Sequence, residues 1–155
     1  MRVVVTGGAG FIGGNLCRRL LSTDGVTSVV VLDDLSTGNA TNIDGLDVTF
    51  VQGSITDDHA LDRAFEGAAA VVHLAALGSV PRSVKEPVAS HLANTTGTLM
   101  VLEAARRHGG LHTVVASSSS VYGANPTLPK HEALATRPMS PYAATKLATE
   151  SYALA

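Results

Sequence analysis

Five short runs of β-branched and apolar residues, Arg2–Thr6, Thr27–Leu32, Val48–Val51, Ala70–Leu74 and Thr113–Ser117, recur along the chain. Each is continuous rather than alternating, the pattern of a strand covered on both faces. The segments between them have helical spacing. Phe11, Leu16, Arg19 and Leu20 share one, and Leu61, Ala64 and Phe65 another. The longest runs from Pro87 to His108, where Leu92, Leu99, Leu102 and Ala105 recur at the helical period and Gly109-Gly110 closes it. A last helix starts near Ser140-Pro141 and carries Tyr142, Lys146, Ala148 and Tyr152. The stretch Gly123–Met139, punctuated by Pro126, Pro129 and Pro138, reads as an irregular loop. Strand–helix alternation at this rhythm means βαβ units, an α/β fold and a doubly wound parallel sheet.

Composition narrows the function classes. The chain has 155 residues, 45% hydrophobic and 15% charged, which is too apolar for disorder and long enough for a real core. With 11 basic against 13 acidic residues and no basic cluster, it lacks the electrostatic footprint of a nucleic-acid binder. The single cysteine, Cys17, excludes an intrachain disulfide and is expected as a buried small hydrophobe. The apolar runs are too short to span a membrane, the N-terminus reads as a strand rather than a signal peptide, and the five histidines other than His73 lack metal-ligand spacing. A cytoplasmic domain with no metal is the expectation, and His73, inside an apolar strand, is expected as a satisfied core histidine.

The first strand-to-helix turn reads Thr6-Gly7-Gly8-Ala9-Gly10-Phe11-Ile12-Gly13. Glycines 8, 10 and 13 satisfy GxGxxG, and glycines 7, 10 and 13 satisfy GxxGxxG. Glycine lets the backbone turn tightly and approach a pyrophosphate, and the helix that follows offers free amides and the positive end of its dipole. The second strand ends Leu32-Asp33-Asp34, slightly beyond the ~20-residue spacing at which an acid meets the adenosine ribose in a Rossmann-type domain. A carboxylate there repels a 2′-phosphate and favours NAD. Turn or helix capping is the competing role for Asp33 and the favoured one for Asp34.

After the fifth run comes Ser117-Ser118-Ser119-Ser120-Val121-Tyr122-Gly123, and further on Tyr142-Ala143-Ala144-Thr145-Lys146. Positions i and i+4 share a helix face, so Lys146 lies beside Tyr142. A phenol titrates near ~10, and lowering it by about three units takes roughly 4 kcal/mol, which an adjacent ammonium and a cationic nicotinamide ring can supply. A serine hydroxyl from the neighbouring strand end would orient the substrate hydroxyl.

With these residues in view, the chain resembles, over its whole length, the extended short-chain dehydrogenase/reductases of the NAD-dependent epimerase/dehydratase group acting on nucleotide sugars. The segments that carry the resemblance, in order, are 6–13, Leu-Asp-Asp-Leu-Ser-Thr-Gly (32–38), Val-His-Leu-Ala-Ala (72–76), Asn94 with Gly97-Thr98, Ser-Ser-Ser-Val-Tyr-Gly (118–123) and Ser-Pro-Tyr-Ala-Ala-Thr-Lys (140–146). The resemblance implies Ser118, Tyr142 and Lys146 as catalytic residues. It implies NAD contacts at Gly7, Gly10, Phe11, Ile12, Gly13, Asp33, Asp34, Ser36, Thr37, Gly38, Ser54, Ile55, Leu74, Ala75 and Ala76, and also at Tyr142 and Lys146. Ser54 stands where an Asp often meets the adenine, and Ala93 where relatives often carry a polar contact. Asn94 is left between a cofactor contact and a structural brace.

In 4,6-dehydratases of the group, Asp and Glu follow the catalytic Ser/Thr. Here Ser119 and Ser120 stand there, which argues for epimerisation over dehydration; a nucleotide-sugar reductase or decarboxylase, or an NAD-binding module without catalysis, stays open beside it. The stretch Ala75–Ser83 is similar to UDP-N-acetylglucosamine 4-epimerases, as is Leu128-Pro129-Lys130. The resemblance thus implies a UDP-sugar substrate, with Gly78, Ser79, Ser118, Ser119, Ser120 and Tyr142 lining the sugar pocket. It also implies a homodimer paired through helices 87–108 and 140–155, although an intramolecular core explains their apolar residues equally well. The expectation for residues 1–155 is an NAD-binding domain that carries the Ser/Tyr/Lys residues, the N-terminal part of a longer enzyme whose C-terminal nucleotide-sugar part is absent.

Overall fold

The computed structural model describes residues 1–155 and divides into two compact units. The first comprises Met1–Ala75 and Met100–Val115, and the second Ala76–Leu99 and Ala116–Ala155.

The first unit holds a five-stranded parallel sheet in the order β3-β2-β1-β4-β5, built from β1 (Arg2–Thr6), β2 (Ser28–Asp33), β3 (Val48–Gln52), β4 (Ala70–His73) and β5 (His112–Val115). All five expected strands are present, with ends shifted by one or two residues. β1 sits centrally, pairing Val4 with Val30 on one side and with Val71 on the other. Helices α1 (Phe11–Leu21) and α2 (Asp58–Phe65) follow β1 and β3. The continuous apolar runs of β1 and β2 are explained by two separate buried clusters. Val4, Val30, Leu32, Leu61, Phe65, Val71 and Val101 form one, and Val5, Cys17, Val29, Val31 and Ile43 form the other. The edge strands β3 and β5 are not covered on both faces and leave Phe50 and Val114 exposed. Cys17 is fully buried as expected, and burial pushes its thiol up to about 11. His73 is buried too, its Nδ1 lying 2.7 Å from the Thr6 hydroxyl, as expected of a satisfied core histidine.

The second unit is helical: α3 (Val80–Lys85), α4 (Pro87–His91) and α6 (Pro141–Leu154) lie within it, and α5 (Gly97–Arg107) starts there. The expected single helix from Pro87 to His108 is instead α4, a π-helical turn over Leu92–Thr96, and α5. The Gly97 amide reaches back to the Leu92 carbonyl, and the Thr98 hydroxyl takes the Asn94 carbonyl at 2.5 Å. One extra residue in a turn leaves the apolar period almost unchanged, so the sequence pattern does not register it. α3 was not expected. Its N-cap is Ser79, whose hydroxyl accepts from the Arg82 amide, with Pro81 in the first turn. Residues 123–139 lack helix and strand, as expected, and the Lys130 ammonium ties this loop to its own carbonyls at Asn125 and Thr127.

Candidate active site

The glycine loop of the first unit is folded by contacts that exclude a side chain. Gly7 has φ +72°, and a Cβ there would meet the Ala75 backbone nitrogen at 2.7 Å. A Cβ on Gly13 would lie 2.2 Å from the Gly7 carbonyl oxygen. Gly10 is the N-cap of α1 and provides no side-chain cap, and no acidic residue occupies the first turn. The amide end of α1 is therefore left to an anion. Phe11 and Ile12, on that first turn, are 82% and 68% exposed.

Asp33 is buried at the end of β2, and its carboxylate accepts from the Ala9 amide (2.9 Å) and the Leu35 amide (2.9 Å). It thus clamps the glycine loop to the turn after β2 by charge-assisted bonds. Each oxygen keeps a lone pair for a ribose hydroxyl. Asp34 caps its own turn, accepting from the Ser36 amide at 2.9 Å, the role favoured for it. Ser36 and Thr37 are exposed on that turn, and Gly38 packs under Ala9 and Asp33. Ile55 is buried after β3, and beside it the Ser54 hydroxyl bonds that of Thr56 at 2.8 Å. Leu74 and Ala75 continue from β4, where the Thr6 hydroxyl accepts from the Ala75 amide.

The second unit holds the expected reacting residues. Ser118 is extended (φ −154°, ψ 142°) and heads the 3-10 turn Ser119–Tyr122, which packs against α6. Its hydroxyl accepts from the Ser120 amide (3.2 Å) and the Ser120 hydroxyl (2.9 Å), leaving its own proton to donate. Ser119 is exposed. Tyr142 and Lys146 are one helical step apart on α6. α6 starts at the cap Ser140, which accepts from the Ala143 amide, while the Tyr142 amide donates to the buried Ser83 hydroxyl at 3.0 Å.

Lys146 is 6% exposed and donates to the Ala116 carbonyl at 2.8 Å. Burial alone depresses its pKa below the ordinary 10.5. The cost of the buried ammonium is fully present below the folded value and is lost as pH rises to 10.5, because the unfolded chain there holds a proton that the folded chain has released. Stability of the wild type relative to Lys146→Met should therefore rise with pH across that window. Urea unfolding at a series of alkaline pH values measures it, and a constant difference between the two proteins would contradict the desolvation.

Three further residues complete this arrangement, two of which, Ser83 and Glu150, carried no clear sequence signal. Asn94, buried in the π turn, accepts from the Leu77 amide (2.7 Å) and donates to the Leu77 carbonyl (3.2 Å) and the Thr145 hydroxyl (3.1 Å). Its polar groups are thus occupied by the protein, the structural brace of the two roles left open. Ser83 and Glu150 are the others. Glu150 accepts from the Ser117 hydroxyl. Of the expected sugar-pocket residues, Gly78 is exposed and Ser79 caps α3.

The NAD dependent epimerase/dehydratase family matches residues 3–155. The chain belongs to this family. A UDP-glucose 4-epimerase of Mycolicibacterium smegmatis is 45% identical over 98% of the chain and 50% of its own length. The crystal structure of the Thermus thermophilus UDP-glucose 4-epimerase complex with NAD matches at 41% identity and TM-score 0.90, over 99% of this chain and 50% of that one. The DesIV dTDP-glucose 4,6-dehydratase of Streptomyces venezuelae, with NAD and TYD bound, matches at 36% identity and TM-score 0.93, over 99% of this chain and 50% of that one. The chain thus spans about half the length of these relatives. The family is NAD-dependent, and the uncapped amide end, the glycine cradle and Asp33 fit NAD. No helix is long and apolar enough to cross a membrane.

Proposed function

We propose that this chain is part of a UDP-hexose 4-epimerase that interconverts C4 epimers through a 4-keto sugar. The observation that carries this reading is the pair Ser119-Ser120 after Ser118. Dehydration of a sugar needs an acid for the leaving hydroxyl and a base for the C5 proton, and neither serine can supply one at neutral pH. Ser120 is instead spent on the Ser118 hydroxyl.

Bound NAD supplies reversible two-electron oxidation of the carbon that bears the reacting hydroxyl. The chain's own residues do the rest. The Tyr142 phenolate takes the proton of the sugar 4-hydroxyl and returns it after the keto sugar has turned over. Ser118 donates its free proton to the same oxygen and holds it. Lys146 places a cationic group on the face of α6 that carries Tyr142. Asp33 gives its remaining lone pairs to the ribose, which selects NAD over a 2′-phosphorylated cofactor.

We further propose that the working form is a homodimer. A groove of about 290 Å³, lined by Pro87, His91, Thr95, Pro141, Ala144, Thr145 and Ala148, lies on the two helices expected to pair. Val88 and Leu92 stand exposed on its helix pair, and the Thr95 hydroxyl is buried without a partner. These features suit a second copy of the same face.

Incubating the whole protein with UDP-glucose, UDP-N-acetylglucosamine and UDP-glucuronate, without added NADH, tests the reaction. The expected outcome is the C4 epimer of one sugar with no net change in cofactor. Loss of water, loss of CO2 or consumption of NADH would sink it. Light scattering on the same preparation should give twice the protomer mass, and a monomer would remove the dimer.

A further inference from the structure

The face of α6 that carries Tyr142 and Lys146 continues to Glu150, the next residue at i+4. Both of the later residues grip one short piece of chain. Lys146 donates to the carbonyl of Ala116, and Glu150 accepts from the hydroxyl of Ser117. That piece lies beyond β5, which ends at Val115, and leads straight into Ser118. Sheet pairing thus ends at Val115, although the sequence pattern extends the strand through Ser117, and two side chains of α6 bond the two residues that follow.

We propose that Glu150 is a positioning residue for the reaction: through Ser117 it holds segment 116–118 in register with α6, and so fixes where the Ser118 hydroxyl stands relative to Tyr142. The inference rests on the epimerase reading for its consequence in catalysis. An extended chain advances about 3.3 Å per residue, so a slip of one residue exceeds the range of a hydrogen bond. The contact is of the stronger kind, a hydroxyl donating to a carboxylate. Losing it also loosens the Ala116 carbonyl, the acceptor of the buried Lys146 ammonium. Nothing in this role asks Glu150 to touch substrate. A neutral acceptor of the same shape should therefore serve in its place.

The test uses Glu150→Ala, Glu150→Gln, Ser117→Ala and the double Ser117→Ala/Glu150→Ala in the whole protein. Loss of one hydrogen bond to a charged group corresponds to a fall in kcat of about tenfold, expected for Glu150→Ala and for Ser117→Ala alike. KM for the UDP-sugar and the content of bound NAD should stay unchanged. Glu150→Gln should recover most of kcat, and the double variant should be no worse than either single one. Hydrogen exchange over residues 116–123 should quicken in the two alanine variants and not in Glu150→Gln. Ser117 is exposed, so Ser117→Ala removes the contact without opening the core even if Glu150→Ala fails to fold. Wild-type kcat and exchange in Ser117→Ala would overturn the proposal. So would a fall in kcat with exchange unchanged. The exchange arm needs no substrate, so a wild-type protein that turns over no UDP-sugar defeats the epimerase reading while exchange still decides the contact.

Discussion

Tyr142→Phe should abolish turnover of the UDP-sugar while leaving NAD bound and the fold intact. The substitution removes one oxygen from a half-buried ring and keeps the ring itself. The contact that seats this turn of α6 uses the Tyr142 backbone amide and the Ser83 hydroxyl, which Phe preserves. In the proposed chemistry the phenolic oxygen is the sole group that carries the sugar proton, because Ser118 donates and Lys146 is committed to Ala116. Loss of a positioned general base costs roughly 10²–10⁴-fold in rate, and the upper end applies where no other side chain can substitute. The measurement is kcat for the active UDP-sugar, with NAD released by denaturation and quantified. Activity within tenfold of wild type would remove Tyr142 from the mechanism, and a protein that lost its NAD would show that the ring serves binding instead.

Much of the fold was legible because the relevant signals are local. Continuous β-branched runs gave the five strands, and the parallel order of the sheet follows from crossovers long enough to hold helices. The glycine loop was legible for the same reason, since Gly7 and Gly13 stand where no side chain fits. What was left open or missed depends on contacts distant in sequence. Asn94 braces Leu77 and Thr145, across 17 and 51 residues, by hydrogen bonds that leave no periodic trace. The π turn around it is a one-residue adjustment within an otherwise helical stretch. β5 stops short of Ser117 because its partner β4 ends at His73, opposite Val115, and the side chains of Lys146 and Glu150, some 30 residues later, bond the next two residues. α3 is the exception, for the Ser79 cap and Pro81 were in plain view but the helix is too short for a period. Asp33 shows two roles that sequence position alone cannot separate: the carboxylate placed for a ribose also caps two amides of the protein.

Gly13→Ala should release NAD and destabilise the first unit. The added methyl carbon would stand 2.2 Å from the Gly7 carbonyl oxygen and 2.6 Å from the Gly8 Cα, both backbone atoms that no rotamer change can withdraw. Either the start of α1 moves off the loop or the loop opens, and both break the arrangement in which the uncapped first turn of α1 meets the glycine loop that Asp33 holds through Ala9. Overpacking a tight site costs about 1–3 kcal/mol, and a contact between backbones belongs at the upper end. Gly25→Ala is the control. Its φ of +83° makes alanine strained, yet nothing lies within 4 Å of the added carbon. It should cost about 1 kcal/mol through the backbone alone and leave NAD binding at wild type. Thermal unfolding and the NAD content of the purified proteins read both effects. A Gly13→Ala protein that retains stoichiometric NAD and the wild-type Tm would show that α1 and the glycine loop do not meet as closely as Gly7 and Gly13 are placed.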